Sequence, residues 1–309
     1  MKTETFTLKA ADNYAIVAYS WLPDEKQAIK GIVQVSHGMA EHAARYGDFA
    51  QHMVSAGYAV FANDHRAHGK TAEAMESLGF IQGKNSWESI LDDMNTLNRH
   101  IHQVYENIPV ILLGHSMGSF YARAYMEKYP GTISGLIISG TAWHPALLLG
   151  FGLMVAKMQC LFKSEMNQSK LLDNLSFGAY NKKFKPNTTP FDWLSRDVAI
   201  CKKYTADDLC GWVATSSFFR ELFRLLKFIH HPGLYHKTNK NLPVLIFSGE
   251  EDPVGDFSKG PKKMYSFLKN KGFTNISLTI YPRGRHEMLN ELNKNEVYKN
   301  IVDWIGLNN

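Results

Sequence analysis

The chain has little cysteine: Cys160, Cys201 and Cys210 are all that its 309 residues contain. So sparse and odd a set speaks against a disulfide framework, and its spacing is not a zinc pattern. Inert thiols in a reducing, cytoplasmic compartment are expected. Long apolar runs are missing too. The most apolar stretch, "PALLLGFGLMVAKMQCLF" (145–162), meets Lys157 well short of the about 20 apolar residues that span a bilayer. The opening "MKTETFTLKAADNYAI" has no apolar h-region, so no secretory signal is expected. There is no internal repeat and no low-complexity linker. Zinc-finger, RNP and helix-turn-helix patterns are absent, so no nucleic-acid partner is expected. At 45% apolar and 20% charged residues, a disordered chain is excluded as well.

Charge is present but uneven. Residues 151–242 hold 14 Lys and Arg against 7 Asp and Glu, while the remainder holds 20 against 22. The positive excess therefore sits in one middle segment. A solvated face is the plain explanation, and attraction to an anionic membrane surface the sharper one.

That segment also breaks the rhythm of the chain. "TETFTLKA" and "YAIVAYSWL" alternate as a hairpin around Ala11–Asn13. Short β-branched runs follow at 31–36, 58–64, 109–114 and 135–140, which read as strands buried on both faces, and 243–249 and 276–282 repeat the strand pattern. Helical stretches at 43–56, 86–106, 117–129 and 292–306 lie between or after them. Such alternation predicts an α/β protein with a doubly wound, mostly parallel sheet. Residues 142–241 carry helical patterns without a comparable strand. They are expected to form an α-helical cap inserted into a core of 1–141 and 242–309. Within the cap, 145–162 reads first as a buried helix, and second as a lid with an apolar face open to lipid.

The stretch "ILLGHSMGSFYA" (111–122) carries the chemistry. Glycine makes up about 7% of residues, so a G-x-S-x-G pentapeptide arises by chance in roughly one chain in ten of this length. Its place after a buried strand and before a helical run is what gives it weight. A serine on a sharp strand-to-helix turn projects its hydroxyl beyond the sheet, and glycines two residues to either side let strand and helix pass closely. Ser116 is thus the expected nucleophile. It needs a base and an acid, which in this arrangement follow in the order acid, then histidine. "PVLIFSGEEDPVGD" supplies Asp252 after a strand, with Asp256 expected to begin the next helix; "ISLTIYPRGRHEMLNE" supplies His286. Oxyanion donors are expected from the backbone N–H of Met117 and, in "VSHGMAEHAARY", of Met39. His286 serves as base and amides as electrophile, so no cofactor and no metal are expected. "HHPGLYH" (230–236) reads as a loop, and His65 and His68 as bonded within their own loop.

The set "SHGMAEHAARY", "DHRAHGKT", "GHSMG", "GEEDPVG" and "GRHE" resembles the monoacylglycerol lipase and lysophospholipase branch of the α/β-hydrolase superfamily. The resemblance covers nearly the whole chain; the catalytic blocks are specific, and the middle matches only as a helical cap. It implies the α/β-hydrolase fold, the triad Ser116, Asp252 and His286, and oxyanion amides at Met39 and Met117. Glu41 and Arg45 match positions lining the alcohol pocket, against the plainer reading of a structural ion pair. Two departures stand out: Ala67 replaces a glycine common in the family, and Leu289 occupies a place where some monoglyceride lipases hold a polar head-group contact. The expected substrate is a small lipid-like ester, such as a monoacylglycerol or lysophospholipid. Leu148 and Phe151 are expected on the acyl side of the lid, with Leu147, Leu149 and Leu153 on its acyl or lipid side. Peripheral membrane contact would run through that lid, helped by Lys157, Lys163 and Lys170. An aminopeptidase of the same fold is the enzymatic alternative, and a catalytically inactive binding protein the non-enzymatic one.

Overall fold

The computed structural model describes residues 1–24, 28–83 and 86–308. Eight strands form one sheet. β1 (Lys2–Lys9) and β2 (Ala15–Leu22) make the antiparallel hairpin expected at its edge. β2 then pairs antiparallel with β4 (Tyr58–Asn63). From β4 onward every pairing is parallel, through β3 (Gly31–Ser36), β5 (Val110–His115), β6 (Gly135–Ser139), β7 (Val244–Gly249) and β8 (Ile276–Tyr281), in the order β1-β2-β4-β3-β5-β6-β7-β8. Each residue of β3 to β7 is buried. That two-sided burial is why these segments read as continuous apolar runs instead of alternating ones.

Helices cover both faces. α1 (Gly47–Ser55) and α9 (Lys294–Asn308) share one apolar cluster, with Phe49, Met53, Ile301 and Ile305 at its centre. α2 (Ser86–Val104), α3 (Met117–Lys128) and α8 (Lys259–Asn270) share the other. The stretch expected as one helix at 43–56 opens with a 3₁₀ turn, Ala43–Tyr46, before α1. α8 starts three residues later than expected: Asp256, Phe257 and Ser258 all have positive φ, and Ser258 is the N-cap. Asp256 therefore lies in a left-handed turn ahead of the helix.

Between β6 and β7 lie α4 (Ala146–Phe162), α5 (Lys170–Phe177), α6 (Val198–Thr205) and α7 (Ser216–Ile229). Side chains of α4, α5 and α7 join the cluster that covers α3, while Cys201 and Tyr204 of α6 pack with Leu194 in a smaller cluster of their own. α4 packs on α7 through Gly152, where an added Cβ would come within 2.6 Å of the Phe223 ring. Of the two readings of this stretch, a buried helix and a lid with an open apolar face, the first holds for one side of α4 only. It buries Leu149, Gly152, Leu153, Ala156 and Gln159 on one side, whereas Leu147, Phe151, Met158, Leu161 and Phe162 are exposed. α7 is one helix and covers only one face. Among the described residues, no helix is long and apolar enough to cross a membrane.

Candidate active site

Ser116 sits between the end of β5 and the start of α3 with φ 53° and ψ −119°, a backbone state that a non-glycine residue holds only at a cost of order 1–3 kcal/mol. Its N–H is fixed by Ser139 O of the neighbouring strand at 2.9 Å. The glycines behave as their spacing implied. A Cβ on Gly114 would stand 2.4 Å from Gly118 O, and one on Gly118 would stand 2.0 Å from Ser36 O. No side chain fits at either place, because the obstacles are backbone atoms.

Asp252 follows β7 and is fully buried. Its carboxylate accepts from Ser248 Oγ at 3.0 Å, from Val254 N at 2.9 Å and from His286 Nδ1 at 3.0 Å. Burial opposes its charge, but the His286 charge and these hydrogen bonds hold its pKa below the usual carboxylate value. For His286 burial likewise opposes the charged form, and the Asp252 carboxylate outweighs it, raising the pKa above that of an ordinary histidine. The bond from Nδ1–H leaves Nε2 free to accept a proton.

Several contacts aim that imidazole. The Trp193 ring lies 5.2 Å from it and the His115 ring 4.7 Å. Gly140, at φ 58°, allows the approach, since its Cβ would stand 3.0 Å from His286 Cε1. His286 N donates to Trp193 O at 3.4 Å and Glu287 N to Leu194 O at 2.7 Å. The Arg285 guanidinium adds bonds to Asp192 O and Ser195 O at 2.5 and 3.1 Å. The inserted segment 192–195 thereby clamps the histidine loop. Burial and the His286 charge push His115 down to about 4, so it stays neutral beside His286. Ser116 Oγ has no hydrogen-bond partner among the described residues.

Met39 and Met117 both reach the wall of the same cavity as Ser116 and His286, a space of about 540 Å³ that falls within the usual range for small-molecule sites. Met117 is the first residue of α3, where an N–H has no intrahelical partner. Glu41 lines the cavity, but Arg45 does not. Arg45 turns instead into an ion-pair network. It donates to Glu41 at 2.5 Å and, through both terminal nitrogens, to Glu287 at 2.8 and 2.7 Å. Glu41 also accepts from Gly38 N at 2.5 Å and Tyr46 OH at 3.0 Å. Burial would raise its pKa, yet Arg45 and these donors keep it low. Leu148 and Phe151 line the cavity while remaining about half exposed. Leu149 lines it from a buried position; Leu153 packs into the core and does not reach it.

Sequence reasoning missed Glu287 and Trp193, both on the cavity wall. Glu287 had a signal, since it directly follows His286 in "GRHE"; Trp193 had none. Of the two departures, Ala67 adopts φ 65°, the state that glycine takes without strain. Leu289 is buried and off the cavity. His68 Nδ1 bonds Arg66 O in its own loop, as expected, but His65 bonds Ser36 Oγ on β3. His230 ends α7, and His231 lies in the loop beyond, where it accepts from Gly233 N.

Comparison with known proteins places this geometry in a family. The model of the family described as serine aminopeptidase, S33, matches residues 27–293. A monoacylglycerol lipase of Mycolicibacterium smegmatis is 27% identical over 290 residues, covering 94% of this chain and 92% of that protein. A monoglyceride lipase of Homo sapiens is 26% identical, covering 96% and 88%. Among solved structures, a thermostable carboxyl esterase from Bacillus coagulans in complex with glycerol superimposes with a TM-score of 0.88 at 26% identity, covering 100% and 99% of the two chains. The fold is that of the α/β-hydrolases.

Proposed function

The chain belongs to the serine aminopeptidase S33 family, and from that premise we propose that it is a carboxylic ester hydrolase working through an acyl-enzyme on Ser116. The observation that carries the reading is the buried Asp252–His286 pair at 3.0 Å, whose histidine lines one cavity with Ser116. His286 Nε2 takes the Ser116 hydroxyl proton as Oγ attacks the ester carbonyl. The N–H groups of Met39 and Met117 receive the oxyanion. His286 then protonates the departing alcohol, and a water activated by the same nitrogen releases the acid. Asp252 holds the imidazole tautomer and stabilises its charge. Gly38, tied to Glu41, fixes the loop that presents the Met39 amide.

The substrate class is a small lipid-like ester, with a monoacylglycerol or lysophospholipid as the preferred reading. Relatives of this chain carry the names monoacylglycerol lipase, monoglyceride lipase and lysophospholipase, and the cavity wall is rich in leucine and phenylalanine. In this reading residues 142–241 form the cap over a core of 1–141 and 242–309. Leu148 and Phe151 contact the acyl chain, and Glu41 and Arg45 shape the alcohol side. The exposed apolar side of α4, with Lys157, Lys163 and Lys170 nearby, rests on lipid from the cytoplasm. An aminopeptidase needs carboxylates free to hold an α-ammonium group. Glu41 and Glu287 do face the cavity, but Arg45 bonds both, which disfavours that chemistry.

Fluorophosphonate labelling, with the adduct mapped by mass spectrometry, tests the nucleophile; the expected site is Ser116. A rate panel over esters of graded chain length, monoacylglycerols, lysophospholipids and amino-acid amides tests the substrate class. Labelling elsewhere, or amides turned over faster than every ester, overturns the proposal.

A further inference from the structure

We propose that His42, Asp207 and Cys210 form a binding site for one thiophilic divalent cation of the zinc class, outside the catalytic cavity. His42 Nε2, an Asp207 carboxylate oxygen and Cys210 Sγ all lie within 4.8 Å of one another. Zinc draws nitrogen, oxygen and sulfur donors to about 2.0–2.3 Å, which sets neighbouring tetrahedral donors roughly 3.5 Å apart. One pair is already closer than that, with His42 Nε2 and Asp207 Oδ2 at 2.9 Å. The widest pair has only about 1 Å to close.

The backbone supports the arrangement from two sides. Asp207 and Cys210 stand on one turn, closed by Cys210 N donating to Asp207 O at 2.9 Å. Leu209 N holds Asp207 Oδ1 at 3.0 Å, which orients the carboxylate and directs Oδ2 to His42. His42 comes from the far side, in the loop after β3. Asp207 and Cys210 are partly exposed, so the ion has a way in and a water can supply the fourth position. Charge balances as well. On binding, Cys210 releases its thiol proton to solvent and His42 carries its proton on Nδ1. One thiolate and one carboxylate then offset the two positive charges. His42 lies 165 residues before Asp207 in sequence, so no spacing in the chain discloses the three together, and the sparse cysteines read as inert.

The ion would join two segments that already touch. Gly211 N and the Tyr204 hydroxyl both donate to Ala40 O, at 3.0 and 2.7 Å. A metal at His42, Asp207 and Cys210 adds a coordinate tie between that inserted stretch and the loop carrying Met39 and Glu41. The bound form is therefore the more thermostable one.

The test uses the reduced, metal-free full chain, titrated with Zn²⁺ by calorimetry and with Co²⁺ by absorption. One equivalent binds, and Co²⁺ gives a thiolate-to-metal band in the near ultraviolet. Cys210→Ser removes the band. His42→Ala weakens Zn²⁺ binding by more than the about 10–100-fold that loss of an outer hydrogen-bond partner costs. Asp207→Asn, on an exposed turn, serves as a second variant, and the metal-free thermal midpoint of each confirms folding. Cys160→Ser changes neither signal. Absence of stoichiometric binding, a cobalt band that survives Cys210→Ser, or one that disappears with Cys160→Ser overturns the proposal.

Discussion

Replacing Gly118 by alanine is the sharpest probe of how the elbow holds Ser116. The new methyl would stand 2.0 Å from Ser36 O and 2.5 Å from His37 O, where an ordinary contact is 3.4 Å or more. The obstacle is the end of β3, a central strand buried along its length, so it cannot rotate away as a side chain would. The start of α3 must retreat by about 1 Å or more, carrying Ser116 and the Met117 amide. Overpacking of this kind costs typically 1–3 kcal/mol, and a 1 Å error at reacting atoms costs about 10²-fold in rate. We expect a lower thermal midpoint and a kcat/KM for a short-chain aryl ester reduced at least about 10²-fold. Gly150→Ala is the matched control. It lies inside α4 with nothing within 4 Å of its added Cβ, so the same change should gain up to about 1 kcal/mol from helix propensity and leave turnover unchanged. If Gly118→Ala retained the parent rate, the crowding account of the elbow would be wrong.

Ser116→Ala, Asp252→Asn and His286→Ala should each remove several orders of magnitude of ester turnover, with double variants little worse than single ones because the three act as a unit; additive losses would refute the shared mechanism. On the proposed mechanism His286 must be neutral to act, and its pKa is raised, so kcat/KM should fall with falling pH through a midpoint above the ordinary histidine value of about 6.5; a midpoint below it would sink the Asp252 account. Leu148→Ser with Phe151→Ser should slow long-chain esters far more than acetates, since each CH₂ removed from water contributes about 0.8 kcal/mol; equal slowing at all lengths, with lost thermal stability, would assign both residues to packing. Burial holds His37 and His68 near 3, and His115, with the His286 charge added, near 4. The unfolded chain therefore binds more protons below about pH 6.5, and stability should drop by about 1.4 kcal/mol per pH unit for each histidine down to those values, as urea midpoints across that range would show.

What was legible in the chain was whatever depended on neighbours in sequence. Strands buried on both faces announced themselves as apolar runs, and the Gly114–Ser116–Gly118 spacing anticipated a crossing so close that an added Cβ would stand 2.0–2.4 Å from backbone oxygens. His286, which the structure sets against Asp252 at 3.0 Å, was singled out from its place after the last strand. Features that depend on distant partners were not legible. The Arg45–Glu287 pair joins residues 242 apart, and Trp193 reaches His286 only because segment 192–195 folds back onto the histidine loop. α4 seemed uniformly apolar, and only the seating of Gly152 on Phe223 decides which side is covered. The positive φ of Ala67 left no trace, since alanine does not advertise a state in which glycine is the usual choice.

The inserted helices leave the sheet after Ser139 and return at Val244, where Leu136 N meets Pro243 O at 2.9 Å and β6 and β7 run side by side. Exit and re-entry thus lie at opposite ends of two adjacent parallel strands, about 10 Å apart, a separation the sheet fixes whatever lies between them. Closing a longer excursion costs little, about 0.6 kcal/mol for each doubling of its length. Ser116 precedes the excursion, and Asp252 and His286 follow it. A lineage can therefore lengthen, shorten or resurface the roof over the cavity while the strands that aim the reacting atoms keep their register. The contacts that must be kept are few: the grip of 192–195 on the histidine loop and the seat of α7 on α3. Substrate range in such a chain is free to drift on one stretch of the gene while the reaction itself stays written on the others.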